Sequence, residues 1–263
     1  MSRYPLWLLI IFTLALAAGR YTGKPAGAAA PLTRTPVLVE LFTSEGCSDC
    51  PPADQVLAQL AERNLADGAE VIAMSEHVDY WNRLGWSDPF SDAQFSARQN
   101  EYAQAFGHRD IYTPQMVVDG QSEFVGSNQA QAIQAITRAG QRPKGSVALT
   151  QIGRDKDTVK VQVSVSQLSQ SASADVFLAL TENNLYSNVE RGENRGRKLA
   201  HTAVVRKLTP IGRISGGGSF TGTSLVRVAR QWKSKDLRAV AFVQEKANRH
   251  ILAVSSIAIE TQE

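Results

Sequence analysis

Cys47 and Cys50 are the only cysteines in the 263-residue chain, and two residues separate them. They fall between an apolar run, Val37-Leu38-Val39-Glu40-Leu41-Phe42, and a helix-patterned segment that opens Pro51-Pro52-Ala53-Asp54. A Cys-x-x-Cys where a strand hands over to a helix is the arrangement used in thiol–disulfide exchange. The helix N-terminus favours a thiolate, and the short spacing lets the second thiol resolve a mixed disulfide formed by the first. Cys47, the more N-terminal, is the expected attacking thiol and the more exposed of the two; Cys50 is the resolving thiol. A purely structural disulfide is the alternative, but so small a loop stabilises little. A structural zinc site wants four ligands, and there is no second cysteine pair.

Other side chains could join this chemistry. Glu40 interrupts an apolar strand. It is either an edge residue facing water or a buried carboxylate that shuttles the proton during resolution. His77 ends the apolar run Val71-Ile72-Ala73-Met74-Ser75-Glu76. The C-terminal ends of strands in α/β sheets are where ligands gather. With Cys47 and Cys50 it could complete a soft copper(I) site; the alternative is a histidine satisfied by a neighbouring carboxylate. Trp81, Trp86 and Phe90 form an aromatic group that is either core or the lip of a binding site. Arg191, Arg195, Arg197 and Lys198 read as a solvated hairpin tip. No Gly-x-Ser-x-Gly or His-Glu-x-x-His occurs, which leaves hydrolase and zincin readings without support.

The elements that must position these groups differ between the two halves. In the first half, Ala53, Val56, Leu57, Leu60 and Ala61 make one buried helix face. Glu70–Ser75 is a second strand. Ser91 with Gln94 resembles a capping box for a helix that Gly107 ends. Gln115–Asp119 is a third strand, and Asp119-Gly120 turns it back into Ser122–Val125. Ser127–Ala139 closes the half as a helix. The order is strand, helix, strand, helix, strand, strand, helix, with Tyr112-Thr113-Pro114-Gln115 leading into the third strand. Gln141–Gly145 reads as a linker. Beyond it lie seven strand-length runs: Ser146–Gln151, Thr158–Val165, Ala174–Thr181, His201–Leu208, Ser224–Arg230, Leu237–Gln244 and Ile251–Ile259. Turn residues separate them and no amphipathic helix intervenes, which suggests an antiparallel sandwich.

Several stretches carry a resemblance. They are Val39 to Asp54, His77-Val78-Asp79-Tyr80-Trp81, Leu84-Gly85-Trp86 with Asp88-Pro89-Phe90, Tyr112-Thr113-Pro114-Gln115, Gly192-Glu193-Asn194, and His201 with Val204-Val205-Arg206. On these the chain resembles the secreted family catalogued as domain of unknown function 1223, within the thioredoxin-like superfamily. The resemblance implies an α/β thioredoxin-like domain over 36–140, a linker at 141–145 and an all-β sandwich domain over 146–263. It also implies that the Thr113-Pro114 bond is cis and lies against the cysteines, so that Thr113 and Pro114 bind an extended substrate. It names no substrate.

The N-terminus reads as an export signal. Arg3 precedes an apolar stretch, Leu6 to Ala18, that is short for a membrane span, and Ala26-Gly27-Ala28 offers a cleavage site. The expected division is a signal peptide at 1–28 and an extension at 29–35, with a membrane tether if the signal stays uncleaved. Cleavage would remove three of the 28 basic residues and none of the 25 acidic ones. The balanced chain that remains argues against nucleic acid as a partner. The expectation is a periplasmic or secreted thiol–disulfide oxidoreductase that acts on a protein or small thiol and needs no cofactor. The alternative is an extracytoplasmic copper(I) metallochaperone or a non-catalytic interaction protein.

Overall fold

In the computed structural model, residues 34–63, 66, 68–168 and 173–260 are described. The expected export signal at 1–28 lies outside them. Among the described residues there are thirteen strands and three α-helices. They run β1 Thr35–Thr43, α1 Cys50–Arg63, β2 Ala69–His77, α2 Ala93–Phe106, β3 Gln115–Val118, β4 Ser122–Val125 and α3 Gln129–Gly140, and continue as β5 Ser146–Asp155, β6 Thr158–Ser166, β7 Ser173–Glu182, β8 Leu185–Asn188, β9 Lys198–His201, β10 Val204–Ser215, β11 Phe220–Arg227, β12 Leu237–Glu245 and β13 Ile251–Ala258. No helix among the described residues is long and apolar enough to cross a membrane.

The first half forms much as its periodicity dictates. β1 and β2 pair in parallel, with Thr43 opposite His77. β3 returns antiparallel on the other side of β1, and β4 follows through the Asp119-Gly120 turn. Strand alternation sorts β1 into two faces. Val37, Val39 and Leu41 pack with α1 and α3, whereas Leu38 and Phe42 pack on the opposite side with Phe95 and Tyr102 of α2. Helix α2 starts one residue later than the Ser91 capping box predicts. Asp92 is its N-cap, accepting from the Gln94 amide at 2.9 Å. A carboxylate there satisfies the same orphan donor that Ser91 would have served.

The expected fold class, a thioredoxin-like domain followed by a separate sandwich, does not hold. One eight-stranded sheet runs through both halves in the order β13-β12-β7-β10-β2-β1-β3-β4. β10 joins β2 in parallel at Val204–Ser75, and the Ser75 amide donates to the Ala203 carbonyl at 2.8 Å. The physical reason lies in β7 and β12, which are apolar on both faces. Leu237, Ala239, Ala241 and Val243 pack beneath the three-stranded sheet β11-β6-β5, while Val240 and Phe242 join Leu38, Phe42 and Met74 of the first half. A strand buried on both faces must be covered twice. Here the second cover is the N-terminal half itself.

Two further contacts knit the halves together. The Ile251 amide donates to the Asp119 carbonyl at 2.9 Å. Lys144 Nζ reaches both the Pro36 carbonyl and Asp119 Oδ1, at 2.7 and 2.6 Å. Gly120 sits at a positive φ of 65°, and a side chain there would collide with the Arg249 carbonyl.

Candidate functional site

Cys47 and Cys50 are joined as a disulfide, with Cys50 the first residue of α1. The expectation that Cys47 is exposed is not met. Cys47 is 1% exposed and Cys50 0%, although Ser48 and Asp49 between them face solvent. The turn that carries them is held in part from the second half. The loop between β8 and β9 lies across the turn, where Asn194 Nδ2 donates to the carbonyls of Glu45 and Cys47 at 2.9 and 2.8 Å. Glu193 Oε2 accepts from the Ser48 amide at 3.0 Å. The Arg191–Lys198 stretch is therefore a hairpin tip, as read, but it hides one buried residue, Asn194.

Around the cysteines lies a cluster of buried polar side chains. His77 Nδ1 meets Asp88 Oδ2 at 2.7 Å, and the same oxygen accepts from the Glu45 amide at 2.8 Å. His201 Nε2 meets Glu45 Oε1 at 3.0 Å, while Trp86 Nε1 donates to Glu45 Oε2 at 2.7 Å. The two imidazoles lie with ring centres 4.9 Å apart, and Phe90 packs edge-on against both, at 5.4 and 5.3 Å. Trp81 Nε1 donates to Thr113 Oγ1 at 2.8 Å. The aromatic group thus frames the site. His77 has its carboxylate partner, yet His77 Nε2, His201 Nδ1 and Asp54 Oδ1 are sealed from solvent with no hydrogen-bond partner among the described residues.

Asp54 stands four residues after Cys50 on α1, so the two share a helix face. Burial pushes the Asp54 carboxyl above the ordinary carboxylate range, against the pull of His201 and His77. For His77, burial works downward, but Asp88, supported by Asp54 and Glu45, outweighs it and the imidazole titrates higher than usual. Burial would raise Asp88, and the His77 charge and backbone donors carry it below its usual value instead.

Glu40 is not part of this cluster. It is buried on the α2 side of β1, where Arg98 Nε donates to it at 2.6 Å and the Tyr102 hydroxyl also donates to it. The period-2 alternation explains this, since its neighbour Leu41 is the residue that faces α1. Glu76 shares Arg98 at 3.5 Å, and burial with the Glu40 charge drives its carboxyl well upward. The Thr113-Pro114 bond is cis, as the resemblance implies. Pro114 is packed near Ala53 of α1, both lining the space beside Gly126. Among the described residues no three His, Cys, Asp or Glu side chains are disposed to hold a metal ion. His201, Asp54 and Asn194 receive no role from the sequence, although each lies in a stretch that carries the family resemblance. Asp54 carries a further signal, its place one turn after Cys50.

Residues 38–244 match the family described as Protein of unknown function (DUF1223), and the chain belongs to it. A crystal structure of the protein AGR_C_4864 from Agrobacterium tumefaciens is 25% identical over 88% of this chain and 97% of its own, with a TM-score of 0.67. That alignment spans both halves and supports the joined architecture. HBP35 of Porphyromonas gingivalis shares the fold at 17% identity and a TM-score of 0.64, over 86% of this chain and 76% of its own. No curated protein matches the chain.

Proposed function

We propose that this member of the family is an extracytoplasmic thiol–disulfide exchange protein that works through Cys47 and Cys50. The observation that carries the reading is the placement of the disulfide at the first turn of α1, with Asp54, whose Oδ1 is sealed from solvent, one turn further on the same face. In the oxidising direction, a substrate thiolate attacks the Cys47 sulfur. The Cys47–Cys50 bond breaks, its electron pair leaves on Cys50, and Asp54 supplies the proton that makes Cys50 a thiol. A second substrate thiolate then attacks the substrate sulfur of the mixed disulfide and expels Cys47 as a thiolate. The substrate dithiol loses two electrons and the protein gains them. Run backward, the same steps need Asp54 as a base. The extracytoplasmic assignment rests on the apolar stretch Leu6 to Ala18 and the small residues before Ala29, and an oxidising compartment would keep the pair as found.

The test is a Cys50→Ser chain, which cannot resolve its adduct. Once reduced, it should accumulate a mixed disulfide through Cys47 when offered a disulfide-bonded protein. Absence of that adduct, with the free Cys47 thiol confirmed by mass, would remove the redox reading.

One observation supports a second reading. Asp88 holds His77 Nδ1, which leaves Nε2 free in the manner of a metal-ligating histidine. The three groups are not disposed to hold a metal while the disulfide is closed, so this reading requires that reduction bring the two thiolates to His77 Nε2. Copper(I) binding that His77→Ala abolishes would favour this reading.

A further inference from the structure

We propose that residues 190–197 are a displaceable cover over the disulfide, and that the partner which displaces it is an extended polypeptide segment carrying a carboxylate beside its cysteine. This rests on the redox reading of Cys47 and Cys50.

The cover is held by polar contacts at its tip. Of residues 190–198 only Asn194 is buried, at 1% exposure, and the rest face solvent. The plug is a single amide. Its Nδ2 bridges the Glu45 and Cys47 carbonyls, and its Oδ1 accepts from Arg197 Nη1 at 2.8 Å. Glu193 adds the bond to the Ser48 amide. The tip folds on itself rather than onto the core. Gly196 N donates to Val189 O at 2.7 Å and Arg195 N to Gly192 O at 3.2 Å. Gly192 and Gly196 take left-handed φ values of 76° and 82° that allow this curl. Its base is anchored separately, by the buried Val189 and by His201 against Glu45. A segment that buries no apolar side chain at its tip and depends on a few hydrogen bonds belongs to the low end of local stability.

The groups the cover occupies indicate what replaces it. They are backbone groups on both sides of Cys47: two carbonyls, which accept, and the Ser48 amide, which donates. An incoming polypeptide offers N–H and C=O groups to all three, whereas a small thiol leaves them unsatisfied beside a sealed sulfur. The Ser48 amide, just ahead of α1, already holds a carboxylate, and a helix N-terminus favours one. Arg191, Arg195, Arg197 and Lys198 outnumber Glu190 and Glu193 on the same exposed tip, a net positive charge that favours an acidic approach against the single Asp49 beside Ser48.

The experiment uses the chain lacking residues 1–28 and follows the appearance of the Cys50 thiol by alkylation and mass. Dithiothreitol is the small reductant. Two eight-residue peptides, with Glu or Lys beside a single cysteine, are the polypeptide probes, each normalised to its rate with a small-molecule disulfide. Asn194→Ala should speed reduction by dithiothreitol about tenfold, which is about 1.4 kcal/mol and within the worth of two hydrogen bonds. Glu193→Gln, at an exposed position that tolerates the change, should speed it by about threefold. The parent should react several-fold faster with the Glu peptide than with the Lys peptide. Parent-like rates in both variants would overturn the cover, and equal peptide rates would overturn the acidic partner. Both readouts concern opening of this chain's own disulfide, so they stand or fall apart from the Cys50→Ser adduct that tests exchange.

Discussion

Replacing Asp54 with Asn changes a titratable group while keeping its size, and it separates a proton-handling role from a packing role. The informative step is resolution, in which the Cys50 thiol attacks a mixed disulfide already formed on Cys47. An unassisted thiol with a pKa of about 8.5 is a thiolate only about once in 300 at pH 6. Burial in apolar surroundings makes that fraction smaller. A carboxylate on the next turn can recover most of the deficit, since general base assistance contributes about 10²–10⁴-fold. Asp54→Asn should therefore slow resolution about 100-fold at pH 6. The gap between the two rates should narrow steadily as pH rises, because more of the thiol then ionises without a base. Rapid-quench alkylation of a mixed disulfide preloaded on Cys47 gives the rate at each pH. In the parent, the rate should rise with pH through a carboxyl titration above the ordinary range, as burial of Asp54 requires, and the variant should lack that limb. Glu40→Gln should leave the profile unchanged, because Glu40 lies on the α2 face of β1. A parent and variant with equal rates at pH 6 would refute the role. So would a constant slowing at every pH, which would indicate displaced packing.

Two further outcomes test the buried charges. Arg98→Met leaves Glu40 and Glu76 without their shared cation in the joined core, and breaking a buried pair in this way costs about 3–5 kcal/mol. For a chain of this size the melting temperature should fall by about 6–20 °C, and further at alkaline pH, where the stranded carboxyls must ionise. A fall under about 2 °C would contradict the arrangement. Asp88→Asn removes the partner of His77. The raised His77 contributes stability that is complete below about pH 6.5 and lost as pH rises through its folded value, whereas the lowered Asp88 contributes stability that is complete above about pH 4 and lost as pH falls through its own. The gap in melting temperature between parent and variant should be widest between about pH 4 and 6.5, and a gap independent of pH would contradict the pair.

Much of the first half was legible because its signals are local. The cysteines before α1, the Asp119-Gly120 turn and the proline ahead of β3 each announce themselves within a few residues. The side of β1 on which Glu40 falls was also available from alternation, once Leu41 was assigned to the α1 face. What escaped depends on distant surfaces. β8 and β9 are four residues each and too short to show a period, so of this hairpin only the tip is legible, and it reads as solvated. Asn194 lies in the Gly192-Glu193-Asn194 stretch that carries the family resemblance, but nothing in that stretch says that its side chain turns inward. The run Leu237-Arg238-Ala239-Val240-Ala241-Phe242-Val243 did carry a signal. Its near-continuous apolar character calls for cover on both faces, but it cannot say that the first half of the chain is one of the covers.

The join between the halves and the assembly of the site are the same structural event. β9 ends at His201 and β10 begins at Val204, and the turn between them passes through Ala203 at a left-handed φ of 52°. The Ala203 carbonyl takes the Ser75 amide, and Val204 pairs with Ser75, two residues before His77. That contact fixes His201 against His77 and Glu45 and sets the hairpin so that Asn194 falls on Cys47. A second half tethered by a free linker could bury apolar strands equally well, but it would not hold an amide on the carbonyl of one particular cysteine. Parallel pairing at a single point, reinforced by the shared core around Phe42 and Phe242, supplies that precision. The β-rich half is therefore part of the site: residues more than 140 positions away in sequence hydrogen-bond to the turn that carries the cysteines.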